Sequence, residues 1–309
     1  MPVMTTTLPL EALRAAFKDR LEENAELARY SSARVGGKAD ALVVVRSADE
    51  LAEIVSWLWS QDVPFVVLGG GSNVLVSDAG VRELVLLNRA RTVRFGGKPG
   101  AVALWAESGA NFGAIARQAA QKGYSGLEWA GGIPGTVGGA VFGNAGAHGG
   151  DVAGNLMMAE ILHRTEGQVI WPKERLEFAY RSSWLKRNPG QAVVLSATLR
   201  LEQGDPAEIE AKMDEFVAFR RKTQPPGASM GSMFKNPPGD YAGRLIEAAG
   251  LKGTQVGGAQ ISPLHGNFFV NLGEASATDV YALIQQARET VAREFGVELE
   301  LEIELLGEW

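Results

Sequence analysis

The chain has 309 residues, no cysteine, a charged fraction of 21% and a formal net charge of −6 at pH 7. That length suffices for two or three domains, each with a buried core. The absence of thiols excludes disulfides, iron–sulfur clusters, thiolate catalysis and a cysteinyl cofactor link, and it fits a reducing compartment. The acidic balance argues against nucleic acid as a partner. No apolar run reaches the ~18 residues of a membrane span, and the N-terminus lacks the order of a secretory signal. The sequence therefore reads as cytoplasmic, with no membrane span.

In chain order, residues 10–21 read as an amphipathic helix. Ser47-Ala48-Asp49-Glu50 is a capping box opening a second helix, and the flanking apolar runs 41–45 and 65–68 make residues 39–70 a β-α-β unit. The glycine turn LGGGSN follows, at Gly69, Gly70, Gly71, Ser72 and Asn73, and strand character resumes at 74–76. A turn between two strands is not a Rossmann fingerprint, which leads from strand to helix, and no G-x-x-x-x-G-K-[ST] occurs. β character continues to about Val85, and Asn111 then caps a helix that Gly123 stops.

Residues 131–151, GGIPGTVGGAVFGNAGAHGGD, are too rich in glycine for a helix and too long for a turn. They read as a ligand-wrapping loop, since each glycine removes a Cβ and lets backbone N–H groups converge on an anion such as a pyrophosphate. The interleaved Ile133, Pro134, Val137, Val141 and Phe142 argue for packing and against a flexible linker. Runs at 155–171 and 192–201 are β-like, so the middle of the chain is α+β. Composition shifts at 202–205, where Asp205 caps a helix that has Pro206 in its first turn and Ile209, Met213, Phe216 and Val217 on one face. A new domain is expected to start there. It holds a helix stopped by Gly250, a β-like run at 268–271, a helix opened by Thr278 and the alternating closing strand LELEIELLG.

Three polar positions could carry chemistry. Arg181 lies in Tyr180-Arg181-Ser182-Ser183, and Ser232 lies in the turn-prone GASMGSMFKNP. Glu302 alternates with Glu298, Glu300 and Glu304, the pattern of a solvated strand edge. The three histidines are scattered, so no metal site is expected. Residue chemistry alone thus reaches a mixed α/β protein that binds a phosphate-bearing cofactor.

Resemblance extends this reading. YSSARVGGKAD, LGGGSN, GLEWAGGIPGTVGGAVFGNAGAHGGD, YRSS, GSMFKNP, AGRLIEAAGLKG, GGAQISPLHGNFFVN and LELEIELLG occur in the order found in the UDP-N-acetylenolpyruvoylglucosamine reductase family, which the chain resembles over almost its whole length. The resemblance implies an α+β fold: a two-part vanillyl-alcohol-oxidase-type FAD-binding region, then an α+β substrate-binding domain. The corresponding division is 1–85 and 86–204 for the two FAD subdomains and 205–309 for the substrate domain, with residues up to about 202 expected to retain flavin alone. FAD contacts are implied for Gly69, Gly70, Gly71, Ser72 and Asn73, and for Ile133, Pro134, Gly135, Thr136, Gly138, Gly139 and Ala140. The first loop has no histidine, so FAD is expected to be non-covalent, with NADPH as reductant.

The implied substrate is a UDP-sugar enolpyruvyl ether, and hydride addition to its vinyl carbon leaves enolate-like charge beside a carboxylate. The resemblance assigns Arg181 to that charge, Ser232 to protonation of the adjacent carbon, and Glu302 to a role available only when it is protonated. Lys235 and Asn236 would contact the UDP diphosphate or sugar, and Tyr241 and His265 could line the pocket. No tyrosine lies between Ser182 and Gly231, which places the chain with the family's short class. Two competing readings are an FAD-dependent oxidase, which needs a base in place of a proton donor to carbon, and a non-catalytic nucleotide-binding protein.

Overall fold

The structure, a computed structural model, describes residues 8–98 and 101–309. Contacts divide the chain into two compact units, each discontinuous in sequence. The first comprises residues up to Leu42, Gly71–Val85 and Arg221–Trp309; the second comprises Val43–Gly70 and Leu86–Arg220. The chain passes between them within the strands Lys38–Val45 and Val81–Asn88.

The second unit is built on an antiparallel sheet in the order Gly167–Pro172, Leu156–His163, Ala192–Gln203, Ala101–Glu107, Val93–Lys98, with the short strand Tyr124–Ser125 also pairing with Ala192–Gln203. Helix Phe112–Gln121 covers it, opened by Asn111 Oδ1, which accepts from the Ala114 N–H at 2.8 Å, and followed by Gly123 at φ +73°. Phe112, Ile115 and Ala116 enter a core with Leu104, Ala106, Ala159, Ile161 and Leu199. Ile209 and Met213 of helix Pro206–Thr223 join the same core, and Phe216 and Val217 pack against it. This is why the contact boundary falls at Arg220, beyond the compositional shift at 202–205.

The β-α-β unit forms from Lys38–Val45, Ala48–Ser60 and Phe65–Leu68, and Val81–Asn88 lies between its two strands in the sheet. Ser47 caps the helix through the Glu50 N–H at 3.1 Å. The Glu50 carboxylate accepts from the Arg46 N–H at 2.6 Å, one residue before the position a capping box specifies. Buried Glu107 holds the same corner by accepting from the Ala48 and Thr92 N–H groups at 2.8 and 2.6 Å.

Two expectations for this part of the chain are corrected. The stretch 131–151 contains a two-turn helix, Val137–Gly143, although three of its seven residues are glycine. Propensity is overridden by packing: Val137, Ala140 and Val141 are buried, and a Cβ at Gly138 would lie 3.0 Å from Ser108 Cβ, so glycine is what lets the helix approach. In the first unit, the expected helix 10–21 ends at Phe17, because Lys18 adopts φ +52°, and Leu21–Glu26 is a strand.

The first unit carries the antiparallel sheet Ala228–Ser232, Phe268–Asn271, Ala259–Ile261, Gln255–Val256 and the long helix Ala277–Phe295. The helix buries Val280, Leu283, Ile284, Ala287 and Val291 in a core that also takes Ala33, Val35 and Leu75 from the N-terminal segments. Its cap is Ser276, two residues before the expected Thr278, with a reciprocal capping box to Asp279. The Asp78 carboxylate accepts from the Ala277 and Thr278 N–H groups and from Thr278 Oγ1 at 2.9, 2.8 and 2.7 Å. The closing strand is shorter than the alternation predicts: a bend at Glu302 and Ile303 leaves only Glu304–Leu306, which pairs in parallel with Val74–Val76.

Candidate active site

The two glycine stretches approach each other through backbone. In the second unit, a Cβ at Gly69 would meet Thr136 Oγ1 at 2.4 Å, and one at Gly70 would meet Gly135 Cα at 3.0 Å. Arg89 Nη1 donates to the Gly69 carbonyl at 2.8 Å. Gly135 has φ +112°, Thr136 caps the short helix through the Gly139 N–H at 3.4 Å, and Ile133 is fixed by its N–H to the Ala130 carbonyl at 3.0 Å. Ala140 is buried, whereas Pro134 and Gly139 are exposed.

The rest of the first loop lies in the first unit. Gly71 has φ +62°, and a Cβ there would lie 1.9 Å from the Tyr30 carbonyl oxygen and 3.1 Å from Ser31 Cα. Beside it Ser31 Oγ is buried and has no hydrogen-bond partner. Ser72 is half-buried and Asn73 exposed. Closely approached glycine backbone and an orphaned buried hydroxyl fit a dinucleotide such as FAD, which brings the phosphate and hydroxyl oxygens that such groups bind. Histidine and cysteine are both absent from 69–73, so the loop offers no residue for covalent attachment.

Arg181 is also in the second unit, at the tip of a tight turn closed by Ala179 and Ser182, which exchange backbone hydrogen bonds of 3.0 and 3.1 Å. It adopts φ +52°, an uncommon conformation for a non-glycine residue and one that concentrates at functional sites. The turn is tied to the glycine stretch. Asn144, at φ +45° after the short helix, donates from Nδ2 to the Ala179 carbonyl at 3.1 Å, and buried Ser183 Oγ donates to the Phe142 carbonyl at 2.6 Å. Asn144 was not singled out from the sequence, and Ser183 was named only as part of the stretch Tyr180–Ser183; an Asn after a glycine-ended helix was the available signal.

The first unit brings Ser232 and Glu302 together. Ser232 ends the strand Ala228–Ser232, where a turn-prone segment was expected, and pairs with Phe268 across a bulge that includes Gly231 at φ +81°. The Glu302 N–H donates to the Met233 carbonyl and the Lys235 N–H to the Glu300 carbonyl, at 2.9 and 2.8 Å, around an antiparallel bridge between Phe234 and Leu301. Asn73 Nδ2 donates to the Glu302 carbonyl at 3.1 Å. Glu298 and Glu300 are exposed, but Glu302 and Glu304 are half-buried, so the four glutamates do not form one solvated edge.

Buried Asn267 supports this ladder: its Oδ1 accepts from the Phe234 N–H at 2.9 Å, and its Nδ2 donates to the Phe234 carbonyl at 2.8 Å. Sequence reading missed it, because its partner lies 33 positions away. Lys235 is ion-paired with Glu300, and Asn236 Oδ1 accepts from the Ala242 N–H at 3.1 Å at the start of helix Ala242–Ala248. Tyr241 is 67% exposed. His265 is half-buried, and its Nδ1 accepts from the Asn267 N–H at 3.2 Å. Among the described residues, no group of three or more histidine or carboxylate side chains could hold a metal ion.

Residues 39–171 match the family model of an FAD binding domain, which makes the chain a flavoprotein. Residues 223–306 match the C-terminal domain of UDP-N-acetylenolpyruvoylglucosamine reductase. The chain is 43% identical to that reductase from Chloroflexus aggregans over 93% of its own length and 97% of the relative's. It is 46% identical to the Rubrobacter xylanophilus reductase, over 91% and 94%. The crystal structure of the reductase from Thermus caldophilus superposes with a TM-score of 0.80 at 39% identity, covering 93% of this chain and 99% of that one. The protein belongs to the UDP-N-acetylenolpyruvoylglucosamine reductase family.

Proposed function

We propose that this protein reduces the enolpyruvyl ether of UDP-N-acetylglucosamine to UDP-N-acetylmuramate with NADPH, a step in peptidoglycan precursor synthesis. The observation that carries the reading is family membership over nearly the whole chain, joined to a glycine cradle that fits a dinucleotide. The chemistry that bound FAD supplies is two-electron hydride transfer from NADPH to the substrate's vinyl carbon. In the second unit Gly69, Gly70, Gly135, Thr136, Gly138 and Gly139, and in the first unit Gly71, Ser72, Asn73 and Ser31, are the groups we assign to holding it. Among the described residues no helix is long and apolar enough to cross a membrane. We assign the activity to the cytoplasm, where NADPH and nucleotide sugars are made.

The chain's own task is to stabilise charge and deliver a proton. Addition of hydride to the vinyl carbon places negative charge on the neighbouring carbon and on its carboxylate. Arg181 suits that charge, because guanidinium stays cationic and offers two parallel donors to a carboxylate. Ser232 is assigned the proton transfer to the carbon next to the carboxylate; a hydroxyl is a weak acid, but a carbanion-like centre is basic enough to take its proton. Glu302 assists only in its protonated form, since a second anion there would repel the developing charge. Lys235 and Asn236 are assigned to the UDP portion, where binding would require Lys235 to exchange Glu300 for phosphate.

The test is direct. The purified protein should be yellow, bleach with NADPH and recover its colour with enolpyruvyl substrate, and acid should release the flavin into the supernatant. Flavin retained by the acid precipitate would refute non-covalent binding. Bleaching without substrate-dependent recovery would refute the reductase reading and favour a different flavoenzyme.

A further inference from the structure

Gly143 ends the helix Val137–Gly143, and the next residue, Asn144, takes φ +45°. Asparagine enters the left-handed region more readily than other residues with a side chain, so the chain turns there at little cost and gains an amide that glycine would not supply. Asn144 is 5% exposed, and both ends of its amide are used. Oδ1 accepts from the Ala153 N–H at 3.0 Å, while Nδ2 donates to Asp151 Oδ2 at 3.3 Å and to the Ala179 carbonyl at 3.1 Å. Two acceptors facing one end and a donor facing the other admit a single orientation of the amide. The bonds to Ala153 and Asp151 brace the glycine stretch against the turn of helix that follows it, Val152–Asn155; only the bond to Ala179 leaves it.

Ala179 opens the four-residue turn whose third position is Arg181, and the Ser182 N–H closes it on the Ala179 carbonyl at 3.1 Å. A positive φ at that position favours glycine or asparagine, yet Arg181 holds +52°. Such a conformation persists only where the surroundings fix it. Three side chains do so. Asn144 holds the entering limb at Ala179, buried Ser183 holds the leaving limb through the Phe142 carbonyl at 2.6 Å, and Arg187 donates to Ser182 Oγ at 3.3 Å and to the Glu177 carbonyl at 2.9 Å. Arg187 is exposed, and water competes for its bonds. The buried pair remains, and both of its members tie the turn to the end of one short helix.

We propose that Asn144 is a positioning residue for reduction of the substrate: by holding the Ala179 carbonyl it fixes the left-handed turn that presents Arg181. The inference rests on the reading of Arg181 as the group that meets the charge formed on the substrate. Asn144 itself touches neither reactant and acts through Arg181. The helix it terminates is capped by Thr136, which is assigned to the flavin, so the same seven residues set the spacing between the cofactor cradle and the guanidinium.

Stopped-flow absorbance on holoenzyme would follow bleaching by NADPH and recovery with saturating enolpyruvyl ether of UDP-N-acetylglucosamine. Asn144→Gly keeps the positive φ and removes the amide; it should bleach like the parent and recover roughly 10- to 100-fold more slowly, the scale of a misplaced catalytic group. Combined with Arg181→Lys it should be no slower than Arg181→Lys alone, because a residue that acts through Arg181 has nothing further to lose. The exchange Asn144→Asp with Asp151→Asn rebuilds the bond between those two positions and can keep those to Ala153 and Gly154, but it offers the Ala179 carbonyl no donor. It should therefore hold flavin, bleach normally and still recover slowly, and it carries the test if Asn144→Gly loses flavin. Recovery at the parent's rate in either flavin-loaded variant overturns the inference, as do losses that multiply in the combination with Arg181→Lys. Loss of flavin from both Asn144 variants overturns it too, by assigning Asn144 to the cofactor cradle. Failure of the reductase reading would show instead as absent recovery in the parent.

Discussion

The Glu302 N–H donates to the Met233 carbonyl over 2.9 Å, so the half-buried carboxylate and the hydroxyl of the preceding residue, Ser232, are set by one backbone ladder. Asn267 holds that ladder from the other side at Phe234. The ladder uses no side-chain atom of Ser232, and this permits a clean substitution.

Ser232→Ala should leave flavin content and NADPH bleaching close to the parent. Recovery of oxidised flavin with enolpyruvyl substrate should slow by roughly 10²-fold or more, the low end of what a positioned acid contributes. Stopped-flow absorbance separates the halves, and an unaltered second half would remove Ser232 from proton transfer.

Arg181→Lys should impair the same second half-reaction, because an ammonium keeps the charge but not the two parallel donors. The turn closed by Ala179 and Ser182 is anchored by Asn144 and Ser183, neither of which is altered, so flavin content should hold. A fall in bleaching rate alone would move Arg181 from substrate to reductant.

Gly71→Ala and Gly143→Ala should have opposite effects on stability. At Gly71 the added carbon meets a backbone oxygen at 1.9 Å with φ +62°, so the loop must shift; a cost of about 1–3 kcal/mol and loss of flavin are expected. At Gly143, inside the short helix, a Cβ meets nothing within 4 Å, and alanine should stabilise by about 0.5–1 kcal/mol. Thermal unfolding with flavin fluorescence reads both.

His265 should make stability depend on pH on the acid side. Burial foremost, and then the Lys252 charge, push its imidazole below the ordinary value, and its Nδ1 accepts from the Asn267 N–H in the neutral form. The unfolded chain then takes up the proton first, near pH ~6.5, so this contribution is complete above that pH and is lost as pH falls through the folded value. His265→Gln should flatten the change in urea midpoint between about pH 7 and 5; a variant with the parent's slope would place the dependence elsewhere.

A fragment ending at residue 202 should fail to fold its first unit, contrary to the expectation that it retains flavin by itself. Removing the remainder strips Glu304–Leu306 from Val74–Val76, the helix start from Asp78, and the core around Ala33, Val35 and Leu75. Limited proteolysis should cut the fragment within 8–42 and 71–85, segments expected to resist in the full chain.

What was legible in the sequence was mostly local. Ser47, Asn111 and Gly123 mark helix ends through atoms a few residues away, and they fell where expected. The helix Val137–Gly143 was not legible, because glycine opposes it locally and only the approach to Ser108 explains the composition. The family motifs pointed to Arg181, Ser232 and Glu302, but the partners that hold those segments, Asn144, Ser183 and Asn267, act over long sequence separations that periodicity does not register. The closing alternation overran its strand because the bend at Glu302 serves the backbone of Met233 and not the sheet.

The parallel pairing of Val74–Val76 with Glu304–Leu306 joins segments 230 positions apart. Contacts of that span form late, because the loop they close must be ordered before they reward it. During synthesis the residues of the second unit are all present once Arg220 has emerged, whereas Val74–Val76 must wait for Glu304–Leu306. A growing chain therefore carries an unpaired strand edge next to its first glycine turn until Glu304–Leu306 are made. Emergence of Glu304–Leu306, more than any earlier event, is when the Gly71 side of that turn acquires its final support.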